Sequence, residues 1–262
     1  MQIQELKCFG EHAGDGNPAL VIEGDRSDEA ARQTFARSRN TTCVYLDPGN
    51  ERDIIGVLDY FYPHARSPLC LHATLAVARV LLARAGADAP LAVKTALRGQ
   101  RLALSRAGDD LFVRLARHDV PPVDIAPGLP ARLLAAPGLV PASPPRLASV
   151  GSPKLLIEVQ DGATLHGLRP DLAAITEWGK ENGVNGCYVY CRLDDGRYEG
   201  RNFNHLDPAL EDSATGVAAG ALTALLGRGI TLRQGRATGR ACLIRTQVIG
   251  AAILVGGRAD PA

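Results

Sequence analysis

The chain of 262 residues has no charge excess: 29 lysines and arginines face 28 aspartates and glutamates, a formal net charge of +1. That balance excludes the basic footprint of a nucleic-acid binder and the self-repelling composition of an acidic disordered tail. Lysine is scarce, present only at Lys7, Lys94, Lys154 and Lys180; with abundant alanine, this reads as codon usage. No stretch approaches the roughly 18 consecutive apolar residues of a membrane span. The opening Met1-Gln2-Ile3-Gln4-Glu5-Leu6-Lys7 alternates like a strand and lacks the long apolar core of a signal peptide. Also missing are a P-loop, a glycine-rich strand-to-helix turn of the dinucleotide type and a nucleophile elbow. Six cysteines are scattered, and none has a second Cys or His pair at metal-site spacing. Cys187 and Cys191 fall on one face of the alternating run Cys-Tyr-Val-Tyr-Cys and read as a structural pair. These absences predict a cytoplasmic, reduced protein with no cofactor, no metal, no nucleic acid and no membrane partner.

What is present is a succession of short strands. Leu20–Ile22, Thr42–Leu46, Ile54–Phe61, Leu91–Lys94, Arg101–Ser105 and Leu111–Leu115 alternate with turn sequences such as Gly14-Asp15-Gly16-Asn17-Pro18 and Asp47-Pro48-Gly49-Asn50. The run Ala73–Ala87 predicts a helix apolar on nearly every side, and therefore buried. Ser27–Arg37 predicts a shorter amphipathic helix capped by Ser27. Eight prolines between Val120 and Pro145 predict a linker. The expected organisation is an N-terminal half at 1–119, a linker at 120–145 and a C-terminal half at 146–262, with the last strands free to return to the first half. Strands resume at Leu155–Val159 and Gly186–Arg192 around a helix near Pro170–Asn182. A second nearly apolar helix, Thr215–Leu226, precedes the strand-like stretch Arg240–Val255. The two apolar helices share an Ala-Thr at their starts, in His72-Ala73-Thr74 and Ser213-Ala214-Thr215, about 140 residues apart. This points to internal duplication of a domain.

Three segments then resemble one family, the phenazine-biosynthesis PhzF-like proteins, which share the diaminopimelate epimerase fold. Gly16-Asn17-Pro18-Ala19-Leu20-Val21 is similar to the family's early GNPxAV turn. Pro68-Leu69-Cys70-Leu71-His72-Ala73-Thr74-Leu75 resembles PFCGHATLG, and Glu211-Asp212-Ser213-Ala214-Thr215-Gly216 resembles EDPATGSA. Arg201-Asn202-Phe203, Gln234-Gly235 and Gly239-Arg240 are supporting matches, in the family's order along the chain. The resemblance implies an α+β fold of two similar halves. Each half would be a curved, mostly antiparallel sheet or barrel around a central helix, with an active-site cleft between them. It also implies a homodimer and an isomerase that takes a small carboxylate-bearing substrate.

The chemistry expected at such a site starts from the helix N-termini. Each offers unpaired N–H groups and about half a positive charge, which suits a carboxylate. Asn17, Leu71, Ala73, Ser213, Ala214, Thr215, Gly216 and Val217 are the expected substrate-binding positions, small residues at the helix starts allowing close approach to backbone. His72 and Asp212 match the family's acid/base histidine and aspartate. Where the family carries a glutamate in an SETTF-like stretch, this chain has Asn40, which exchanges no proton at neutral pH. Leu71 replaces the glycine before the histidine, and Val217 replaces a serine. Cys70 falls where related epimerases and proline racemases hold a catalytic thiol, with Ser213 at the second such place. Three readings remain open: an isomerase using His72 and Asp212 with Asn40 orienting the substrate, a silent binding scaffold, and a Cys70-based dehydratase or lyase. His12, His64 and His205 are further cleft candidates; His118 and His166 read as loop positions.

Overall fold

In the computed structural model, residues 1–49, 51–86, 89–204 and 211–262 are described. Candidate His205 and the ends of the Asp47–Asn50 turn and of the Ala73–Ala87 helix lie outside them. The chain separates into two compact units, Met1–Arg114 with Gly256–Ala262, and Leu115–Val255.

The first unit contains β1 (Gln2–Cys8), β2 (Asn17–Glu23), α1 (Glu29–Arg39), β3 (Thr42–Pro48), β4 (Gly56–Phe61), β5 (Arg66–Ser67), α2 (Leu71–Ala85), β6 (Leu91–Thr95), β7 (Arg101–Ala107) and most of β8 (Asp110–Ala116). The second contains α3 (Leu129–Leu133), β9 (Arg146–Ala148), β10 (Lys154–Glu158), α4 (Gly162–Gly167), α5 (Leu172–Asn182), β11 (Cys187–Arg192), β12 (Tyr198–Phe203), α6 (Gly216–Leu226), β13 (Thr231–Gln234), β14 (Cys242–Ile249) and β15 (Ala252–Gly257). A last strand, β16 (Ala259–Pro261), returns to pair antiparallel with β1.

The duplication expected from the sequence is visible in the pairing. In the first unit β1–β2 is antiparallel, β2–β3 parallel across α1, β3–β4 antiparallel, β4–β6 parallel across α2, and β6–β7 antiparallel. In the second, β9–β10, β10–β11 across α4 and α5, β11–β12, β12–β13 across α6, and β13–β14 repeat that succession. Parallel pairs occur only where a helix makes the crossover that parallel strands require. The remaining pairs are antiparallel.

Each unit sets one helix against one face of its sheet. Every residue of α2 from Leu71 to Ala78 is buried. This helix packs on β1, β2 and β3 and also on β7, from the far part of the strand order, so the sheet wraps around it. A helix enclosed on nearly every side over its first turns keeps no polar face there, which is why its sequence shows no clear amphipathic period. The other face of this sheet carries α1 over Leu20, Ile22, Cys43, Tyr45 and Phe61. Strands buried on both faces read as continuous apolar runs, as Ala19-Leu20-Val21-Ile22 does. In the second unit α6 packs on β9, β10 and β14, while a separate core containing Leu165, Ile175, Trp178, Cys187, Val189 and Cys191 fills the opposite face.

Three expectations need correction. The proline-rich stretch 120–145 is no free linker: it contains α3, and Leu129, Leu133 and Leu134 are buried in the core of the second unit with Val123 and Ile125 packed against them. Its prolines shape a path over that core rather than spacing two bodies. The cap of α1 is Asp28, whose carboxylate accepts the N–H of Ala31 at 2.9 Å; Ser27 instead donates its hydroxyl to Asp25. His166 is on α4 rather than in a loop, 3.0 Å from Glu199.

Candidate active site

The helices differ in how they begin. Aspartates cap α1, α4 and α5: Asp28, Asp161 and Asp171 each accept a first-turn N–H. Helices α2 and α6, like the five-residue α3, have neither a side-chain cap nor an acidic residue in the first turn. Their first N–H groups therefore keep their partial positive charge for something else.

At the start of α2, Cys70 is the N-cap in extended conformation. Its Sγ lies 3.3 Å from Nδ1 of His72, and both residues are buried. Thr74 pins the cap, donating its hydroxyl to the Cys70 carbonyl at 2.7 Å and its N–H to the same oxygen at 2.9 Å. With that proton committed, Tyr60 must be the donor in its 2.7 Å bond to Thr74 Oγ1. The His72 ring lies 6.5 Å from that of Tyr62, on which His64 stacks at 5.6 Å. Leu71 and Ala73, expected to line a binding site, form the first turn and are buried.

Asp212 precedes α6 and is held by contacts to β12, to Thr215 and to Gln234. Its backbone bridges to that of Asn202 on β12, its Oδ2 accepts the Thr215 hydroxyl at 2.6 Å, and its carbonyl accepts from Gln234 Nε2 at 2.7 Å. Gln234 uses its whole amide here. Nε2 also donates to Thr215 Oγ1 at 3.1 Å, and Oε1 accepts from the Thr215 N–H at 3.3 Å and the Tyr188 hydroxyl at 3.0 Å. Ser213 bonds Thr238 at 2.8 Å. Gly235 has φ +100°, and a Cβ there would lie 2.8 Å from the Ser213 carbonyl, so only glycine lets the two loops meet. Ser213, Ala214, Thr215 and Gly216 are buried and Val217 is partly exposed.

Arg201 anchors the approach to this segment. It is 7% exposed, donates Nε and Nη2 to Glu211 at 2.9 and 2.8 Å, and donates Nη1 to the Leu165 and Leu168 carbonyls. Beside it, a Cβ on Gly200 would fall 2.2 Å from the Tyr188 hydroxyl. Replacing Gly200 with alanine should therefore cost about 1–3 kcal/mol through overpacking, read as a lower urea midpoint.

Asn40 and Asn17 are placed differently. Asn40 is exposed, in the left-handed region at φ 46°, where its N–H caps α1 on the Arg37 carbonyl. Asn17 opens β2 opposite Cys8. Two residues that the sequence reading assigned no site role also belong here. Lys154 is wholly buried with its Nζ on the Asn185 carbonyl at 2.5 Å, and Tyr188 is the hydroxyl behind Gln234. The signal for Lys154 was a lone lysine leading an apolar strand in a chain with four lysines. The wholly buried side-chain amide of Asn202 finds no hydrogen-bond partner among the described residues. No helix among these residues is long and apolar enough to cross a membrane.

A Deinococcus radiodurans protein described as an uncharacterized isomerase is 32% identical to this chain, covering 90% of it and 80% of the relative. The structure of a Pseudomonas aeruginosa protein named as a predicted epimerase superposes with a TM-score of 0.81 at 27% identity, over 99% of this chain and 96% of that one. A hydroxyproline epimerase from Agrobacterium vitis, solved with bound trans-4-hydroxy-L-proline, shares the fold at a TM-score of 0.62 and 13% identity, over 100% and 90% of the two chains. The family model of phenazine biosynthesis-like proteins matches residues 6–260, and the chain belongs to that PhzC-PhzF family.

Proposed function

We propose that this chain is a PhzF-type isomerase that moves a proton on a small amino- or hydroxy-carboxylic acid. The observation that carries the reading is the pair of uncapped helices, α2 and α6, each starting beside a group able to exchange a proton, His72 and Asp212. Uncapped N–H groups favour a carboxylate, and a carboxylate so held acidifies the neighbouring C–H by accepting its electron pair. A residue so placed, His72 or Asp212, takes the proton as the C–H bond breaks and returns one as the new bond forms. Asn40, unable to transfer a proton, would orient the substrate or leave the chemistry to this pair. Relatives described as an isomerase and as an epimerase support the same reaction class.

Incubating a panel of amino and hydroxy acids in deuterium oxide and following C–H loss by NMR tests this directly. Exchange is expected for at least one acid. If none exchanges while some still bind, the protein is a silent scaffold and the reading fails.

A second reading rests on the 3.3 Å contact between Cys70 Sγ and His72 Nδ1. A thiol beside an imidazole at a helix start is arranged to lose its proton and act as the base of a dehydratase or lyase. Loss of exchange in Cys70→Ala with retention in His72→Ala would select it. The reverse pattern selects the histidine.

A further inference from the structure

Lys154 is the most deeply buried cation in the second unit, with no solvent exposure at all. It begins β10 on the face that also carries Leu156, Tyr188 and Asn202, since Leu156 pairs with Tyr188 and Tyr188 with Asn202. Asn202 in turn bridges to Asp212. One ammonium proton is held by the Asn185 carbonyl, whose own side chain is tied to Ser152 at 3.0 Å. The amine is thus fixed in place, and a buried cation so placed needs an opposite charge.

We propose that Lys154 is a positioning residue for Asp212, its ammonium supplying the interior counter-charge that holds the Asp212 carboxylate ionised and ready to accept a proton. This deepens the proposed function and rests on it only for its catalytic consequence. Burial pulls the Lys154 amine down to about 8, and the nearby negative charge of Asp212 opposes that fall. Asp212 thus favours the protonated form of the buried amine. The described ionisable groups of β11, β12 and α6 do not replace it. Cys187 on β11 is pushed up to about 12 by burial, and its neighbour Tyr188 is raised well above its ordinary value, so both are neutral. On β12 Glu199 faces His166, and Arg201 is committed to Glu211. Helix α6 carries no charged residue.

The test is reciprocal, because a coupling between two sites acts equally on both. Carbon-13 labelling of aspartate, with Asp212→Asn supplying the assignment, should show the Asp212 midpoint rising by about one pH unit or more in Lys154→Met. Labelling lysine at Cε, readable because the chain has four lysines, should show the Lys154 midpoint falling by a similar amount in Asp212→Asn. The second measurement needs no Lys154 variant, so misfolding of Lys154→Met cannot hide the answer. On an exchanging substrate, the acid limb of the pH–rate profile should move upward in Lys154→Met and be restored in Lys154→Arg. Unmoved midpoints in both labelled proteins would overturn the proposal, whatever the activity. Moved midpoints with no exchange on any acid would uphold the pair and sink the proposed reaction instead.

Discussion

Asp212→Asn will lower the rate of substrate C–H exchange by about 10²–10⁴-fold, the usual contribution of one positioned acid or base. The substitution is close to isosteric, and the amide oxygen still accepts the Thr215 hydroxyl that Oδ2 accepts at 2.6 Å. The bond from Gln234 to the Asp212 carbonyl and the bridge to Asn202 are made by the main chain and do not depend on the side chain. The start of α6 should therefore keep its shape while losing a group that gains and loses protons. Melting temperature and circular dichroism are expected to stay near those of the parent as the exchange rate collapses. A rate within threefold of the parent would remove Asp212 from the chemistry and leave His72 or Cys70 to act without it.

Arg201→Met will produce the largest stability loss of a single change near the site. The guanidinium spends four hydrogen bonds, two on Glu211 and two on the Leu165 and Leu168 carbonyls, with its plane also 4.9 Å from the Phe203 ring. Methionine fills much of the volume but leaves a partly buried carboxylate and two carbonyls unpaired. Breaking a buried pair this way costs about 3–5 kcal/mol, and a melting-temperature drop of roughly 10 °C follows for a chain of this size. The double change Arg201→Met with Glu211→Met should recover part of the loss, because the stranded charge goes too. A single-variant loss under about 1 kcal/mol would instead mean that the pair behaves as a solvated surface bridge.

Much of this was legible along the chain. The two buried helices were readable because a helix enclosed on nearly every side is apolar nearly all round, as Leu71–Ala85 is apart from His72, Thr74, Arg79 and Arg84, and Gly216–Leu226 apart from Thr223. The duplication was readable because each copy repeats strand, turn and helix in one order. Less was legible where the signal is short or shared. Tyr198–Phe203, with Glu199, Gly200, Arg201 and Asn202 in a six-residue strand, has too few apolar residues to show a strand period. Its polar side chains are explained by partners far along the chain, Glu211 for Arg201 and His166 for Glu199. The stretch 120–145 was misread because proline density is common to linkers and to chain laid over a core, and only its buried leucines tell them apart.

The sequence by itself determined the local matters: which segments are strands, which helices are buried, where the motifs around Cys70–Thr74 and Asp212–Gly216 begin. These follow from side-chain chemistry within a few residues, where period and turn propensity act. Only the tertiary structure decided that Gln234 spends its whole amide around Asp212, and that Lys154 is a buried cation. Each of these depends on what a side chain meets from another strand, and hydrogen bonds and desolvation are set by neighbours in space rather than in order.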